Sequence, residues 1–178
     1  MVIFFVQPEK GIFMNDARGE NTPSRIPAPF AAAPAPGEVV VAEVGFGRYA
    51  QVVYDGKHRL TADEPMEAGG LDTGPSPYGL LLAALGACTS ITLRMYAERK
   101  KWPLRHVAVR LRHSKVHAKD CADCPEKPIK IDHIEREIEL TGDISDEQRS
   151  RLLEIANKCP VHQTLERANE VVTTLRPA

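Results

Sequence analysis

Between Gly74 and Trp102 the sequence GPSPYGLLLAALGACTSITLRMYAERKKW allows one long helix and little else. Ser76 suits an N-cap and Pro77 a first helical position, where its missing N–H costs nothing. The run extends to about Lys101 and must stop before Trp102-Pro103, since the residue ahead of a proline is pushed out of helical geometry. Its first half (Leu80, Leu81, Leu82, Ala83, Ala84, Leu85, Ala87) is apolar nearly all round, so burial on most faces is expected. Its second half turns amphipathic, with Arg94, Glu98, Arg99 and Lys100 expected to reach water. A fold containing this helix must wrap other elements around it.

The wrapping elements read as strands. EVVVAEVGFGRYAQVVYDGKHRLTADEP, from Glu38 onward, predicts two or three short antiparallel strands, with turns at Gly45-Phe46-Gly47 and Asp55-Gly56. Met66 to Pro77 is a loop rich in Gly and Pro. Val107, Val109 and Leu111 alternate with polar residues, as do Ile134, Ile138 and Leu140 between glutamates, and each set marks a half-buried strand. Arg136 falls on the apolar face of the second. It reads first as a snorkelling edge residue, with a buried functional charge as the alternative. Ser145 to Gln148 has capping-box spacing and opens a helix ending near Lys158. Pro160 starts another through Arg167 with Cys159 at its N-cap, and Val171 to Leu175 suggests a final strand. Strands, long helix, strands, helix pair and strand in that order make an α+β domain.

At 178 residues the chain has the length of one domain. Residues 1–37 read as an extension, because RIPAPFAAAPAPG is expected to be extended or disordered, and residues 38–178 form the domain. The extension is either an arm packing on a partner or a stretch preceding a start at Met14. A net charge of -1 argues against nucleic acid or an anionic membrane as partner. The apolar opening MVIFFVQ is too short for a signal core or a membrane span, and no other segment is expected to span. A soluble, cytoplasmic protein with reduced thiols follows as the expectation.

Two of the four cysteines sit where a reactive thiol would. Cys159, at a predicted helix N-terminus, has orphan N–H groups directed at its sulfur, and these favour a thiolate. Cys88 lies over three turns into the apolar helix, where burial raises a thiol pKa, so the plain reading is a small core residue. Taken together, distant thiols in separate helices suggest an attacking and a resolving cysteine. A rival constellation is His113, His117, Cys121 and Cys124, H-x3-H-x3-C-x2-C. All four are zinc-competent, but the spacing matches no common zinc motif and no bound metal is expected. GGLDTG lacks the strand and Lys of a phosphate-binding loop, and there is no G-x-S-x-G.

The helix GPSPYGLLLAALGACTSITLRMYAERKKWPL followed by KCPVHQTLE resembles the OsmC/Ohr family of osmotically inducible and organic-hydroperoxide-resistance proteins. ADEPMEAGGLDTGPSPYG and HSKVHAKDCADC are similar to its OsmC-like branch, sometimes fused to an α/β hydrolase. The resemblance spans about residues 38 to 176. It implies antiparallel strands wrapped around long central helices in an intertwined homodimer. It also implies reduction of organic hydroperoxides without metal, flavin, haem or other cofactor. By that resemblance Cys88 is the attacking cysteine and Cys159 the resolving one. An external dithiol, which in this family includes lipoylated proteins, restores both. Arg48, in GFGRYAQ, is the positional match to the arginine that activates the first cysteine. The family's acidic residue after the Pro-Tyr of the helix is replaced here by Gly79. Two other functions remain open at this stage: a non-enzymatic stress or ligand-binding protein on the same fold, and a zinc-stabilised interaction module.

Overall fold

The residues after Glu38 fold as antiparallel β structure because each short apolar run is followed by a turn. A computed structural model describes residues 33–117 and 130–175, and the chain divides into two compact units, one ending at Ser76 and the other starting at Pro77. The first unit holds a three-stranded sheet of β1 (Val40–Glu43), β2 (Gln51–Tyr54) and β3 (Arg59–Ala62), in that spatial order. Its register pairs Val41 with Val53 and Val53 with Leu60. The β2–β3 turn closes as expected at Asp55-Gly56. Gly56 takes φ 95°, and the Asp55 carboxylate accepts from Lys57 N at 2.8 Å and His58 N at 2.6 Å.

The Gly/Pro-rich loop after β3 is built around a residue with no obvious sequence signature. Asp63 is 2% exposed, and its carboxylate accepts from Glu64 N (2.8 Å), Leu71 N (3.1 Å), Thr73 N (3.3 Å) and the Thr73 hydroxyl (3.0 Å). Burial pushes this carboxyl up, but these donors outweigh it and hold the group below its ordinary 3.8. Gly70 and Gly74 let the loop close. A Cβ on Gly70 would lie 1.8 Å from Glu64 O, and one on Gly74 would lie 2.4 Å from Thr61 O.

The second unit opens with the predicted helix α1 (Pro77–Lys100). It ends in a Schellman motif, with Trp102 N bonded to Ala97 O and Lys101 N to Glu98 O, both at 2.9 Å. Lys101 occupies the left-handed position at φ 56°, where glycine is usual. Strands β4 (Leu104–His117) and β5 (Lys130–Gly142) form a long antiparallel hairpin packed along α1. Gly86 permits the close approach, since a Cβ there would lie 2.9 Å from Leu111 Cδ1. Helix α2 (Asp146–Ala156) carries the predicted capping box, and α3 (Pro160–Glu166) follows with Cys159 at its N-cap. Leu93, Ala97, Leu104, Ile144, Leu152, Ile155 and Ala156 form the core beneath them, sealed by Tyr96 and Trp102.

Three expectations need correction. Val171 to Leu175 forms no strand: its Val171, Val172 and Leu175 are exposed, and the segment pairs with neither sheet. Arg94 turns back to the carbonyls of Leu104 and Arg105, fastening α1 to the start of β4 where water was expected. Helix α1 is also less buried than its composition implies. Leu85, Gly86, Thr89, Leu93 and Ala97 are covered, while Ala84, Ala87, Ile91 (58% exposed) and Met95 (65% exposed) form an open apolar stripe. Among the described residues α1 is the one helix long and apolar enough to cross a membrane by length and composition. Its packing on β4, α2 and α3 instead makes it the central helix of its unit.

Candidate active site: the Cys88–Cys159 pair

Cys88 projects from the middle of α1 and is partly exposed, whereas Cys159 at the α2–α3 junction is 0% exposed. The 71 positions between them (159 − 88) are closed by the packing of α1 against α2 and α3. Both thiols are free, and they lie within hydrogen-bonding reach of one another.

Their surroundings push the two thiols in opposite directions. Burial raises Cys88, and its hydrogen bond with Cys159 adds to this. The Val161 N–H and the Thr92 hydroxyl offset it only in part, so the thiol lies above its ordinary 9.0. Burial also acts to raise Cys159. Hydrogen bonds from Cys88, the His162 N–H, the Thr89 hydroxyl and the Val161 N–H outweigh it, and the net direction is down. The Cys159 side chain makes no cap hydrogen bond of standard geometry, yet the first N–H groups of α3 approach closely enough to favour its charged form. The dithiol therefore loses its first proton from Cys159, with Cys88 donating to the resulting thiolate.

Around this pair lies a network that sequence reading had treated as the lesser alternative. Arg136, on the apolar face of β5 opposite Leu111, donates to Thr89 Oγ1 at 3.0 Å, Ala156 O at 3.2 Å and Asn157 Oδ1 at 2.7 Å. It is no edge snorkeller. Thr89 and Asn157 were also overlooked, because no local pattern links residues on α1, β5 and the end of α2.

The other candidate residues lie elsewhere. Arg48 belongs to the first unit, in the β1–β2 connection, with its guanidinium 5.7 Å from the Tyr49 ring centre. Gly79 is in the first turn of α1, which carries no acidic residue. His113 bonds Asp132 across the hairpin (Nε2 to Oδ1, 2.8 Å) and stacks on Tyr78 with ring centres 4.2 Å apart. Cys121, Cys124 and the His117 side chain lie outside the described residues, and among the described residues no three His, Cys, Asp or Glu form a metal-sized group. On the far side of α1, Leu82, Gly86, Ser90, Val109 and Leu111 line an open cavity of about 380 Å³ with a mixed polar and apolar surface.

Comparison with known proteins bears on the family and the fold. Residues 70–174, more than half of the chain, match the family model described as OsmC-like protein. Among solved structures, the organic hydroperoxide resistance protein OsmC of Legionella pneumophila is similar at 20% identity and TM-score 0.52, covering 74% of this chain and 90% of that one. An OsmC-like protein from Mycoplasma pneumoniae is similar at 18% identity and TM-score 0.53, covering 72% and 84%. An organic hydroperoxide resistance protein from Elizabethkingia anophelis, with thiocyanate bound, is similar at 16% identity and TM-score 0.51, covering 71% and 84%. At these identities the likeness shows the fold. No curated protein matches by sequence.

Proposed function

The chain belongs to the OsmC-like protein family, and we propose that it is a cysteine-based peroxidase that reduces organic hydroperoxides. The observation that carries this reading is the contact between a partly exposed thiol and a buried one whose ionisation is favoured. Solved structures of similar fold that are organic hydroperoxide resistance proteins support it.

Access decides the order of events. Peroxide reaches Cys88 before Cys159, so Cys88 is the attacking sulfur although Cys159 ionises first. As Cys88 Sγ bonds the distal peroxide oxygen, the O–O bond breaks. Cys88 passes its proton to the Cys159 thiolate beside it, and Cys159 relays it to the alkoxide, which leaves as the alcohol while Cys159 returns to its thiolate. Cys159 Sγ then attacks the sulfenic sulfur, and the S–O bond breaks as the disulfide forms. The departing hydroxide takes up a proton and leaves as water. An external dithiol, a lipoylated protein among the candidates, takes up the oxidising equivalents and regenerates both thiols. By family resemblance Arg48 is the arginine that assists the attacking thiol.

A homodimer fits the same reading. The open stripe of Ala84, Ala87, Ile91 and Met95 runs beside Cys88, and a second copy of α1 would cover it. A two-stranded hairpin as long as β4–β5 also gains from added cover. A cytoplasmic setting would keep the resting thiols reduced.

A second reading, a non-enzymatic ligand-binding protein, draws on the open cavity between α1 and β4, which lies within the size range of small-molecule sites. One assay separates the two: consumption of tert-butyl hydroperoxide and of hydrogen peroxide with a dithiol reductant. Catalytic consumption that favours the organic peroxide supports the peroxidase. No turnover by folded, fully reduced protein removes that reading and leaves the binder.

A further inference from the structure

Arg136 is a half-buried cation whose partners among the described residues are all neutral. Its three acceptors are a hydroxyl, a backbone carbonyl and an amide oxygen, and among the described residues it forms no ion pair. The other arginines of the hairpin behave differently, as Arg110 and Arg112 face solvent opposite Glu137 and Glu135. A partly desolvated guanidinium with only neutral partners is less favourable than one beside a group that can become negative. A group able to do so is the Cys159 sulfur, one hydroxyl away through Thr89, which is itself 0% exposed.

We propose that Arg136 is a positioning residue for Cys159. It fixes the Thr89 hydroxyl and the α2–α3 junction, and it supplies the positive charge that a thiolate at Cys159 requires. The geometry explains both halves. Nη1 bridges Thr89 on α1 and the last carbonyl of α2, while Nη2 holds Asn157, two residues before the cysteine. With Nη1 donating to its oxygen, Thr89 has a single proton to give, and both Leu85 O (2.8 Å) and the Cys159 sulfur are in reach. A charged sulfur attracts that proton more strongly than a carbonyl does, and Arg136 polarises it further. The remaining titratable or charged neighbours do not replace Arg136. Cys88 is neutral when it donates, the His162 ring is bonded to Glu166 at 3.0 Å, and Lys158 is exposed.

The inference rests on the redox reading of the pair, in which Cys159 must act as a nucleophile, but its test does not depend on turnover. In the full chain with Cys88, Cys121 and Cys124 each changed to Ser, Cys159 is the single thiol, and its ultraviolet thiolate absorbance is titrated against pH. Arg136→Gln is expected to raise the midpoint by about one pH unit, the effect of losing one nearby cation. Arg136→Lys should restore most of it, and Thr89→Val, which removes the bridging hydroxyl but keeps the arginine's charge, should also raise it. In the unmodified protein, Arg136→Gln should slow disulfide closure by only about threefold at neutral pH. The thiolate fraction falls, but each thiolate that remains is more nucleophilic. An unmoved midpoint in folded Arg136→Gln overturns the proposal, and should that variant not fold, an unmoved midpoint in Thr89→Val does the same. A raised midpoint in a protein that consumes no peroxide upholds Arg136 and removes the peroxidase reading. Turnover with an unmoved midpoint does the reverse.

Discussion

Asp63 in the first unit and Cys159 in the second are both buried acids surrounded by hydrogen-bond donors, and in both the donors outweigh burial. What differs is where the donors come from. Those of Asp63 lie within ten residues along one loop, so the carboxylate ties a local knot that needs only its own segment and two glycines. Those of Cys159 come from α1 and α3, with Arg136 behind them on β5, so the thiol's environment exists only once three elements have packed. Local solvation of an anion serves structure. Solvation assembled from distant elements, beside a second thiol, makes a site that can react.

The largest expected effect divides the cysteine pair itself. Cys88→Ser should abolish peroxide turnover, whereas Cys159→Ser should allow about one reduction per chain and then stall at a sulfenic acid that over-oxidises with excess peroxide. Equal loss in both, with no single-turnover burst, would erase the assigned difference in role.

Removing the packing that assembles the Cys159 side should come next. Leu152 is 0% exposed in the core under the α1–α2 contact, and Leu152→Ala should cost about 2–5 kcal/mol in urea unfolding. A loss well under 1 kcal/mol would mean this core does not support the site.

Acid titration probes the other region. The Asp63 carboxyl is lower in the folded protein than in the unfolded chain, so its contribution is present above the ordinary 3.8 and is lost as pH falls through its lowered value. Asp63→Asn should remove that pH dependence and speed proteolysis of the loop, leaving the Cys159 titration unchanged. The thiols give a signature at the alkaline end. Cys159, lowered, adds stability as pH rises toward 9.0, while Cys88, raised, removes stability above 9.0, so the reduced protein should show a shallow maximum near there. Cys159→Ser should abolish the rising limb.

The smallest expected effect is at the end of α1. Lys101→Gly relieves a left-handed non-glycine residue and should add about 1 kcal/mol, read as a higher urea midpoint with an unchanged slope.

How much of this was legible in sequence follows the same division between local and assembled features. Pro77, the Trp102-Pro103 stop, the Asp55-Gly56 turn and the Ser145–Gln148 capping box act over a few residues, and each element they predict is present. The cysteine pair was legible through its two motifs and the cap at Cys159. The Arg136–Thr89 bond was not, because it joins positions 47 residues apart on different elements. Asp63 should have been easier, yet a single Asp before a Gly/Pro-rich loop has no periodicity to reveal it. Composition misjudged α1 for another reason: it reports that the helix is apolar, but not whether its own chain or a second copy covers the stripe at Ile91 and Met95.

The central claim is that Cys88 and Cys159 form one redox unit, and it is tested most directly by mass mapping of the reduced protein after one equivalent of organic hydroperoxide. The account predicts a Cys88–Cys159 disulfide as the dominant product, since the thiols already lie within hydrogen-bonding reach. Both thiols recovered free, or Cys88 linked to any cysteine other than Cys159, would contradict it.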